Sequence, residues 1–217
     1  MPPMIALHTK RRVYLVDDDA DFRAATRRHL IALGFEVQVF ASAEEFRAAF
    51  DPEAEGCLLL DLRMPGESGL EMMQEVKQRL AEGEVMPPVV FLTGHGDVPT
   101  SVLAMRRGAV DFLQKPVSEE LLLAALERAF DHDKAQRQQR AETLEVRARL
   151  ATLTKREREV LNEMLSGALN KQAAQNLRIA ERTVKLHRAN VLLKMGAGSI
   201  AELVRMAERL GVRPNGV

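Results

Sequence analysis

Four short apolar runs in the first half of the chain each end at or just before a residue with a charged or hydroxyl side chain. The runs cover residues 13–16, 57–60, 89–92 and 110–113, and the side chains that follow them are Asp17 and Asp18, Asp61, Thr93, and Lys115. In a parallel α/β sheet the carboxyl ends of the strands form one rim, where ligands bind. As strands of such a sheet, these runs would bring three carboxylates, one hydroxyl and one ammonium group to a single point.

The segments between these runs have the spacing of amphipathic helices, which defines the predicted fold class. A further strand is predicted at residues 37–40, and apolar residues recur at helical spacing between strands, as in Leu70, Met73, Val76 and Leu80. Alternating strands and helices predict a parallel sheet covered on both faces. We therefore expect an α/β doubly wound domain with five parallel strands and five helices in the flavodoxin-like order.

Three carboxylates that meet at one point favour a particular chemistry. They repel one another and raise one another's pKa unless a cation lies between them. Oxygen ligands of this kind suit Mg²⁺, which takes one or two protein carboxylates and keeps several waters. One carboxylate can then attack a phosphoryl group, while the metal and Lys115 neutralise the charge on the transferred oxygens. The hydroxyl of Thr93 is placed to bond one of those oxygens.

At these positions the chain resembles the receiver domains of two-component response regulators. The matching stretches are Val-Asp-Asp-Asp at 16–19, Leu-Asp-Leu-Arg-Met-Pro-Gly at 60–66, Thr-Gly-His-Gly-Asp at 93–97 and Lys-Pro at 115–116. The resemblance covers residues 11–130, which we expect to form a receiver domain. It implies that a cognate sensor histidine kinase is the partner and that Mg²⁺ is the cofactor.

The same resemblance implies a role for each residue of the cluster. Asp61 is the expected phosphoacceptor. The expected Mg²⁺ ligands are Asp18, Asp61 and the main-chain carbonyl of Arg63, with Asp17 acting mainly through water. The expected switch residues are the hydroxyl of Thr93 and the aromatic ring of Phe112, and the expected phosphate-binding cation is Lys115.

The net charge of zero conceals two halves of opposite sign. Residues 1–130 hold 14 Lys and Arg against 21 Asp and Glu, whereas residues 131–217 hold 17 against 10. An acidic half followed by a basic half predicts two domains and makes nucleic acid a candidate partner of the second. A single cysteine, Cys57, excludes an intrachain disulfide and favours a buried residue in a reducing compartment. No apolar stretch approaches 18 residues and no signal peptide is evident, so we expect a cytoplasmic protein without membrane contact.

The two halves are joined by residues 131–150, which are polar and contain neither Gly nor Pro. Flexible linkers usually contain one of these residues. We therefore expect a helical linker that continues the fifth helix and acts as a solvated spacer.

Residues 151–211 have an all-helical pattern. Thr154 and Glu157 have the spacing of a capping box, and a short helix at 170–177 is followed by a second helix at 181–195. Two helices joined by a tight turn in a basic domain predict a small all-α helix-turn-helix domain, whose second helix enters the major groove. In helical projection the predicted core face holds Val184, His187, Val191 and Met195. The opposite face, which could contact DNA, holds Arg182, Lys185, Leu186, Ala189 and Leu193.

This half of the chain resembles the NarL/FixJ (LuxR-type) DNA-binding domain, on stretches at 153–161, 170–174 and 183–190. Together with the 93–97 segment, it is most similar to the FixJ branch. By this resemblance the residues that face bases are Lys185, Leu186 and Ala189, and those that contact or approach phosphates are Lys171, Thr183, Arg188 and Lys194. Many relatives have Ser where Ala180 precedes the second helix, and loss of such a cap costs about 0.5–2 kcal/mol.

The predicted function is that of a transcriptional regulator switched by phosphorylation. Phosphorylation of Asp61 would alter dimerisation or domain arrangement, so that a homodimer binds double-stranded promoter DNA, with RNA polymerase as a possible further partner. One alternative is a DNA-binding regulator that works without phosphorylation. Another is an Asp-dependent phosphohydrolase, in which a second Asp follows the nucleophile by two residues. Arg63 stands at that position here, and the protein is not expected to be an enzyme beyond catalysing its own phosphorylation and dephosphorylation.

Overall fold

The computed structural model describes residues 11–80, 84–94 and 98–212, which fall into two compact units, Met1–Arg137 and Gln138–Val217. His95, which belongs to one of the motif stretches, lies outside the described residues. In the parts of the chain that the structure describes, no helix combines the length and the apolar character needed to cross a membrane.

The first unit is built on a parallel sheet with the order β2-β1-β3-β4-β5. Its strands are β1 Arg12–Val16, β2 Glu36–Phe40, β3 Cys57–Asp61, β4 Val89–Thr93 and β5 Asp111–Gln114. The helices are α1 Ala20–Ala32, α2 Ala43–Ala49, α3 Gly69–Arg79, α4 Val98–Arg106 and α5 Glu119–Ala151. The predicted doubly wound α/β fold with five parallel strands is confirmed.

The three central strands are buried on both faces because each face of the sheet has its own apolar layer. Leu58, Leu60 and Phe91 point into one layer with residues of α2 and α3. Leu59 and Val90 point into the other with residues of α1 and α5. Rigid strands packed on both sides hold their carboxyl ends in fixed positions, and those ends carry the acidic cluster.

A buried ion pair within α5 holds residues 131–137 of the helix against the loop before β3. Asp133, which is 4% exposed, accepts hydrogen bonds from Arg137 and from the backbone N–H of Gly56. Arg137 also donates to the carbonyl oxygens of Glu53 at 3.1 Å and Ala54 at 2.6 Å. These contacts tie the helix to the loop before β3, where the sequence predicts solvated residues.

The second unit contains α6 Lys155–Leu165, α7 Asn170–Leu177, α8 Glu181–Met195 and α9 Ile200–Arg209. The end of α5 packs with them, since Val146 is 5% exposed and lies in the same apolar cluster as Leu161 and Val191. Arg149 donates to the carbonyl of Met195 at 2.9 Å. The prediction that residues 131–150 are a solvated spacer is therefore wrong in part, because Val146 and Asp133 are buried. The sparse apolar residues of this segment do not indicate that either side chain is buried. The helix itself runs through these residues without a break.

Candidate functional site

The carboxyl ends of β1 and β3 bring three carboxylates together. One ligand oxygen each from Asp17, Asp18 and Asp61 can be chosen so that all lie within 4.8 Å of one another. Asp17 is fully buried and Asp61 is 7% exposed, whereas Asp18 lies exposed at the surface of the cluster. The convergence expected from the strand ends is therefore present in the structure.

Lys115, which follows β5, supplies the positive charge of the site. Its Nζ lies 2.5 Å from Oδ2 of Asp17 and 3.4 Å from Oδ1 of Asp61. The ammonium group also lies 4.1 Å from the centroid of the Phe22 ring, a distance at which cation–π attraction operates. The lysine thus reaches over the sheet from its own strand and pairs with the most deeply buried acid.

Three negative charges and one positive charge leave the cluster with an excess of negative charge. Burial is the main cause that raises the pKa of Asp61, and the neighbouring Asp17 raises it further, while Lys115 opposes both. A cation bound among the three carboxylates would remove this penalty. The carboxylate oxygens are hard ligands, and this type of donor suits Mg²⁺.

Thr93 and Phe112 lie on adjacent strands beside the cluster. Thr93 is 1% exposed at the end of β4, and its carbonyl accepts a hydrogen bond of 2.7 Å from the backbone N–H of Lys115. Phe112 is partly buried and packs against the apolar layer formed with α2 and α3. The two residues expected to act as a switch therefore belong to the strand pair that also carries Lys115.

The loop between β3 and α3 closes tightly against the cluster. The N–H of Leu62 donates to the carbonyl of Leu92, and the N–H of Gly69 donates to the carbonyl of Leu62, each at 3.0 Å. A Cβ atom at Gly69 would lie 2.3 Å from the carbonyl oxygen of Asp61, so this close return of the chain requires glycine. Ser68 and Glu71 then form a capping box that begins α3.

An ion-pair network that sequence reasoning missed also reaches this loop. Arg47 on α2 donates to Glu67 in the loop and to Glu75 on α3, both at 2.7 Å. The partners are 20 and 28 residues away in the chain. Periodicity within a helix carries no signal of contacts between residues so far apart, so the motif stretches alone do not reveal this network.

In the second unit, α8 presents two faces of different character. Val184, Val191 and Met195 are buried, and His187 is partly buried, as the helical projection predicts. The opposite face is exposed and consists of Arg182, Lys185, Leu186, Ala189 and Leu193. Leu186 and Leu193 are 60% and 80% exposed, so neither side chain belongs to the apolar core of this unit. A mixed apolar and basic face of this kind suits contact with a DNA groove.

The four residues expected to contact phosphates differ in their exposure and in their bonds to the rest of the unit. Lys171 is exposed near the start of α7 and Thr183 is partly exposed on α8, whereas Arg188 donates to the carbonyl of Ala168 at 3.0 Å. Nζ of Lys194 lies 2.7 Å from Oε2 of the buried Glu157. The bond to Lys194 is the main cause that lowers the pKa of Glu157 to about 2, with help from Thr154.

The beginning of α8 lacks a side-chain cap. Ala180 occupies the N-cap position without a side-chain hydrogen bond, in contrast to the Thr154 capping box at α6. The preceding turn places Arg178 in the left-handed region, with φ at 53°. The first backbone N–H groups of the helix therefore have no side-chain acceptor from residue 180.

Comparison with protein families matches each unit separately. The model described as "Response regulator receiver domain" matches residues 13–127. The model described as "Bacterial regulatory proteins, luxR family" matches residues 151–207. The chain belongs to the two-component response regulators that combine a receiver domain with a LuxR-type DNA-binding domain, in the NarL/FixJ family.

Curated relatives align with the chain along nearly its whole length. The chain is 42% identical to the transcriptional regulatory protein FixJ of Rhizobium meliloti over 207 residues, which cover 95% of this chain and 100% of the relative. It is 42% identical to the response regulator protein TodT of Pseudomonas putida over 198 residues, covering 91% and 86%. The protein is thus similar along nearly its whole length to a transcriptional regulatory protein and to a response regulator.

Two solved structures of response regulators also match the chain along nearly its whole length. The response regulator StyR matches with a TM-score of 0.75 and 42% identity, covering 92% of this chain and 99% of that one. Full-length FixJ from B. japonicum matches with a TM-score of 0.55 and 39% identity, covering 94% and 98%. The protein is a DNA-binding regulator of transcription whose activity depends on phosphorylation of its receiver.

Proposed function

We propose that Asp61 accepts a phosphoryl group from the phosphohistidine of a sensor histidine kinase. A carboxylate oxygen of Asp61 attacks phosphorus, so that an O–P bond forms while the N–P bond breaks and the histidine nitrogen keeps the electron pair. The observation that carries this proposal is the position of Lys115, 3.4 Å from Asp61 and bonded to Asp17. An ammonium group at this point would neutralise charge on the incoming phosphoryl oxygens.

We further propose that Asp18, Asp61 and the main-chain carbonyl of Arg63 bind Mg²⁺ directly and that Asp17 does so through water. The closeness of the three carboxylates and the raised pKa of Asp61 support a divalent cation at this point. Bound Mg²⁺ supplies charge neutralisation for phosphoryl transfer. Asp17 holds Lys115 in place, and Thr93 is positioned to bond a phosphoryl oxygen after transfer.

Intact mass measurement after incubation with acetyl phosphate and Mg²⁺ tests the proposal. We expect a gain of about 80 Da, one phosphoryl group, in the wild-type protein and none in Asp61→Asn. Omission of Mg²⁺ should suppress the gain. An unmodified wild-type mass would contradict the proposal and favour a regulator that works without phosphorylation, whereas steady hydrolysis of small phosphoesters would favour a phosphohydrolase.

We propose that β4 and β5, the strands next to the site, transmit the effect of phosphorylation to the DNA-binding half of the chain. We propose that Thr93 and Phe112 reposition when Asp61 is modified and change the surface around α4 and α5. The bond from the N–H of Lys115 to the carbonyl of Thr93 supports this, because it joins the phosphate-binding residue to the switch residue. The expected result is a homodimer whose two DNA-binding domains read half-sites about one helical turn apart.

We propose that the exposed face of α8 enters the major groove. Lys185, Leu186 and Ala189 would face bases, and Arg182 on the same face would contact the DNA. The residues that would contact or approach phosphates are Lys171, Thr183, Arg188 and Lys194. In support, the base-facing residues are all exposed, and Lys185 has only an exposed i,i+4 pair with Glu181 at 3.3 Å within the described residues. Exposed pairs of this kind are weak and are easily exchanged for a base edge.

Alanine variants at two exposed lysines should separate base reading from phosphate binding. Lys185→Ala should cost about 1–3 kcal/mol of binding to the cognate site and relax its sequence preference. Lys171→Ala should weaken binding equally for all sequences and reduce the dependence of log K on log salt by about 1. Fluorescence anisotropy with specific and scrambled duplexes at several salt concentrations measures both. Equal loss on both duplexes for Lys185→Ala would contradict its assignment to bases.

The remaining proposals concern organisation and partners. We propose a receiver domain at 11–130, a helical linker at 131–150 and a DNA-binding domain at 151–211. The family implies a histidine kinase and DNA as partners, and we propose RNA polymerase as a further one. A regulator that meets both a kinase and chromosomal DNA would act in the cytoplasm. Turnover by the receiver would be confined to its own phosphorylation and dephosphorylation.

A further inference from the structure

Arg47 connects three elements of the receiver through one guanidinium group. Its Nη1 lies 2.7 Å from Oε2 of Glu67, in the loop after β3, and 2.7 Å from Oε2 of Glu75, on α3. The Arg47 side chain is 16% exposed and that of Glu67 is 23% exposed, so water screens this pair less than an exposed one. Arg47 itself is fixed on α2, which packs through the buried Phe46 against the core.

The loop that Glu67 belongs to carries the main-chain carbonyl assigned to Mg²⁺. At its start, Leu62 is bonded to Leu92 of β4, and at its end Ser68 caps α3. Between these two points Arg63 is exposed and Gly66 adopts a φ of 85°, a backbone conformation that glycine adopts freely. The bond from Arg47 to Glu67 is therefore a side-chain anchor within the stretch that leads from Arg63 to α3.

We propose that Arg47 is a positioning residue for Mg²⁺, which acts by holding Glu67 and thus the loop that presents the Arg63 carbonyl to the acidic cluster. This inference rests on the proposed Mg²⁺ site. Partners outside the first ligand sphere fix the orientation of the ligands themselves, and their removal commonly weakens metal binding tenfold or more. Without Arg47, Glu67 and Glu75 would also repel each other and move the loop.

The charge of Arg47 makes the test decisive, because positioning and simple electrostatics predict opposite signs. Removal of a cation near a Mg²⁺ site should tighten Mg²⁺ binding if only the field of the charge matters. Removal of a positioning residue should weaken it. We expect Arg47→Gln to raise the Mg²⁺ dissociation constant of the full-length protein about tenfold, measured by isothermal titration calorimetry, and Arg47→Lys to restore part of the affinity.

Glu67 and Glu75 provide a matched pair of controls. Both carboxylates bond the same nitrogen at the same distance, and Glu67→Gln and Glu75→Gln change the charge equally, but only Glu67 lies in the loop. We expect Glu67→Gln to weaken Mg²⁺ binding clearly more than Glu75→Gln does. In acetyl phosphate reactions the Mg²⁺ concentration for half-maximal rate should rise in Arg47→Gln, whereas the rate at saturating Mg²⁺ should stay near that of the wild-type protein.

Melting curves and circular dichroism establish that each variant is folded at the titration temperature. Unchanged or tighter Mg²⁺ binding in folded Arg47→Gln would overturn the inference. If that variant does not fold, equal effects of Glu67→Gln and Glu75→Gln would overturn it instead. Failure of the wild-type protein to bind Mg²⁺ is a different result, because it would refute the proposed metal site on which the inference rests.

Discussion

Asp61→Asn is expected to make the protein more stable and at the same time unable to accept a phosphoryl group. The side chain of Asn is nearly isosteric but lacks the charge that burial and Asp17 disfavour. Lys115 loses little, because its shorter contact is with Asp17 at 2.5 Å and not with Asp61 at 3.4 Å. We expect a gain of about 1–2 kcal/mol in the free energy of unfolding at pH 7, the usual scale when a functional site is relieved of strain.

The gain should depend on pH in a defined direction. The pKa of Asp61 is raised in the folded state, so the folded protein holds this proton more tightly than the unfolded chain does. The resulting loss of stability is absent below the unfolded pKa, about 3.9, and develops as the pH rises through the folded value. The advantage of Asp61→Asn should therefore be present at neutral pH and shrink toward pH 4.

Urea unfolding in EDTA, followed by circular dichroism between pH 4 and pH 8, measures this difference. Asp131→Asn is a suitable control because it makes the same chemical change on an exposed position of α5. Addition of Mg²⁺ should then stabilise the wild-type protein more than Asp61→Asn. A variant that is less stable than the wild-type protein at pH 7, or that gains phosphoryl mass, would refute this account of the site.

Gly69→Ala is expected to be strongly destabilising although it adds one methyl group. The new Cβ would lie 2.3 Å from the carbonyl oxygen of Asp61, which is closer than two such atoms can approach. It would also lie 3.0 Å from the side chain of Leu60 and 3.1 Å from that of Phe91, both tight contacts. The oxygen belongs to a central strand and cannot move without disturbing its ladder. Overpacking of this kind costs about 3 kcal/mol, which thermal or urea unfolding would detect.

Gly66→Ala, in the same loop, separates the steric effect from the loss of glycine itself. Gly66 has a φ of 85° but has no atom within 4 Å of the position of a Cβ. Its replacement should cost only about 1 kcal/mol, the backbone strain alone. Because Gly69→Ala forces the loop away from Asp61, we expect it also to impair Mg²⁺ binding. Similar costs for the two variants would mean that the close return of the chain at Gly69 is not what the loop depends on.

Much of the acidic site could be predicted because it depends on strand ends. Each strand is a short apolar run, and the residue after it has a fixed position once the sheet is parallel, as Asp17, Asp61 and Thr93 show. The faces of α8 were equally predictable, since Val184 and Val191 follow the period of a helix that is buried on one side. In both cases the spacing of apolar residues within one short segment predicts where its polar side chains lie in the folded protein.

The rest could not be predicted because it depends on side chains that meet across long stretches of sequence. Arg47 and Glu67, Lys194 and Glu157, and Arg137 with the carbonyl of Ala54 are separated by 20, 37 and 83 residues. The arginine, lysine and glutamate side chains in these pairs are charged, and charged side chains are usually solvated. Only the packed structure shows that their charges are satisfied inside the protein, where an unpaired group would cost about 1–3 kcal/mol.

The bond between Arg137 and the loop before β3 has a practical consequence for those who exchange modules between regulators. A fragment cut at residue 130, where the proposed receiver domain ends, would leave the carbonyls of Glu53 and Ala54 and the N–H of Gly56 without the partners they have here. A hybrid that grafts a foreign output module onto this chain should therefore keep its own residues through Arg137. The boundary between the two units lies inside α5, directly after the buried ion pair of Asp133 and Arg137, and not at the edge of a sequence motif.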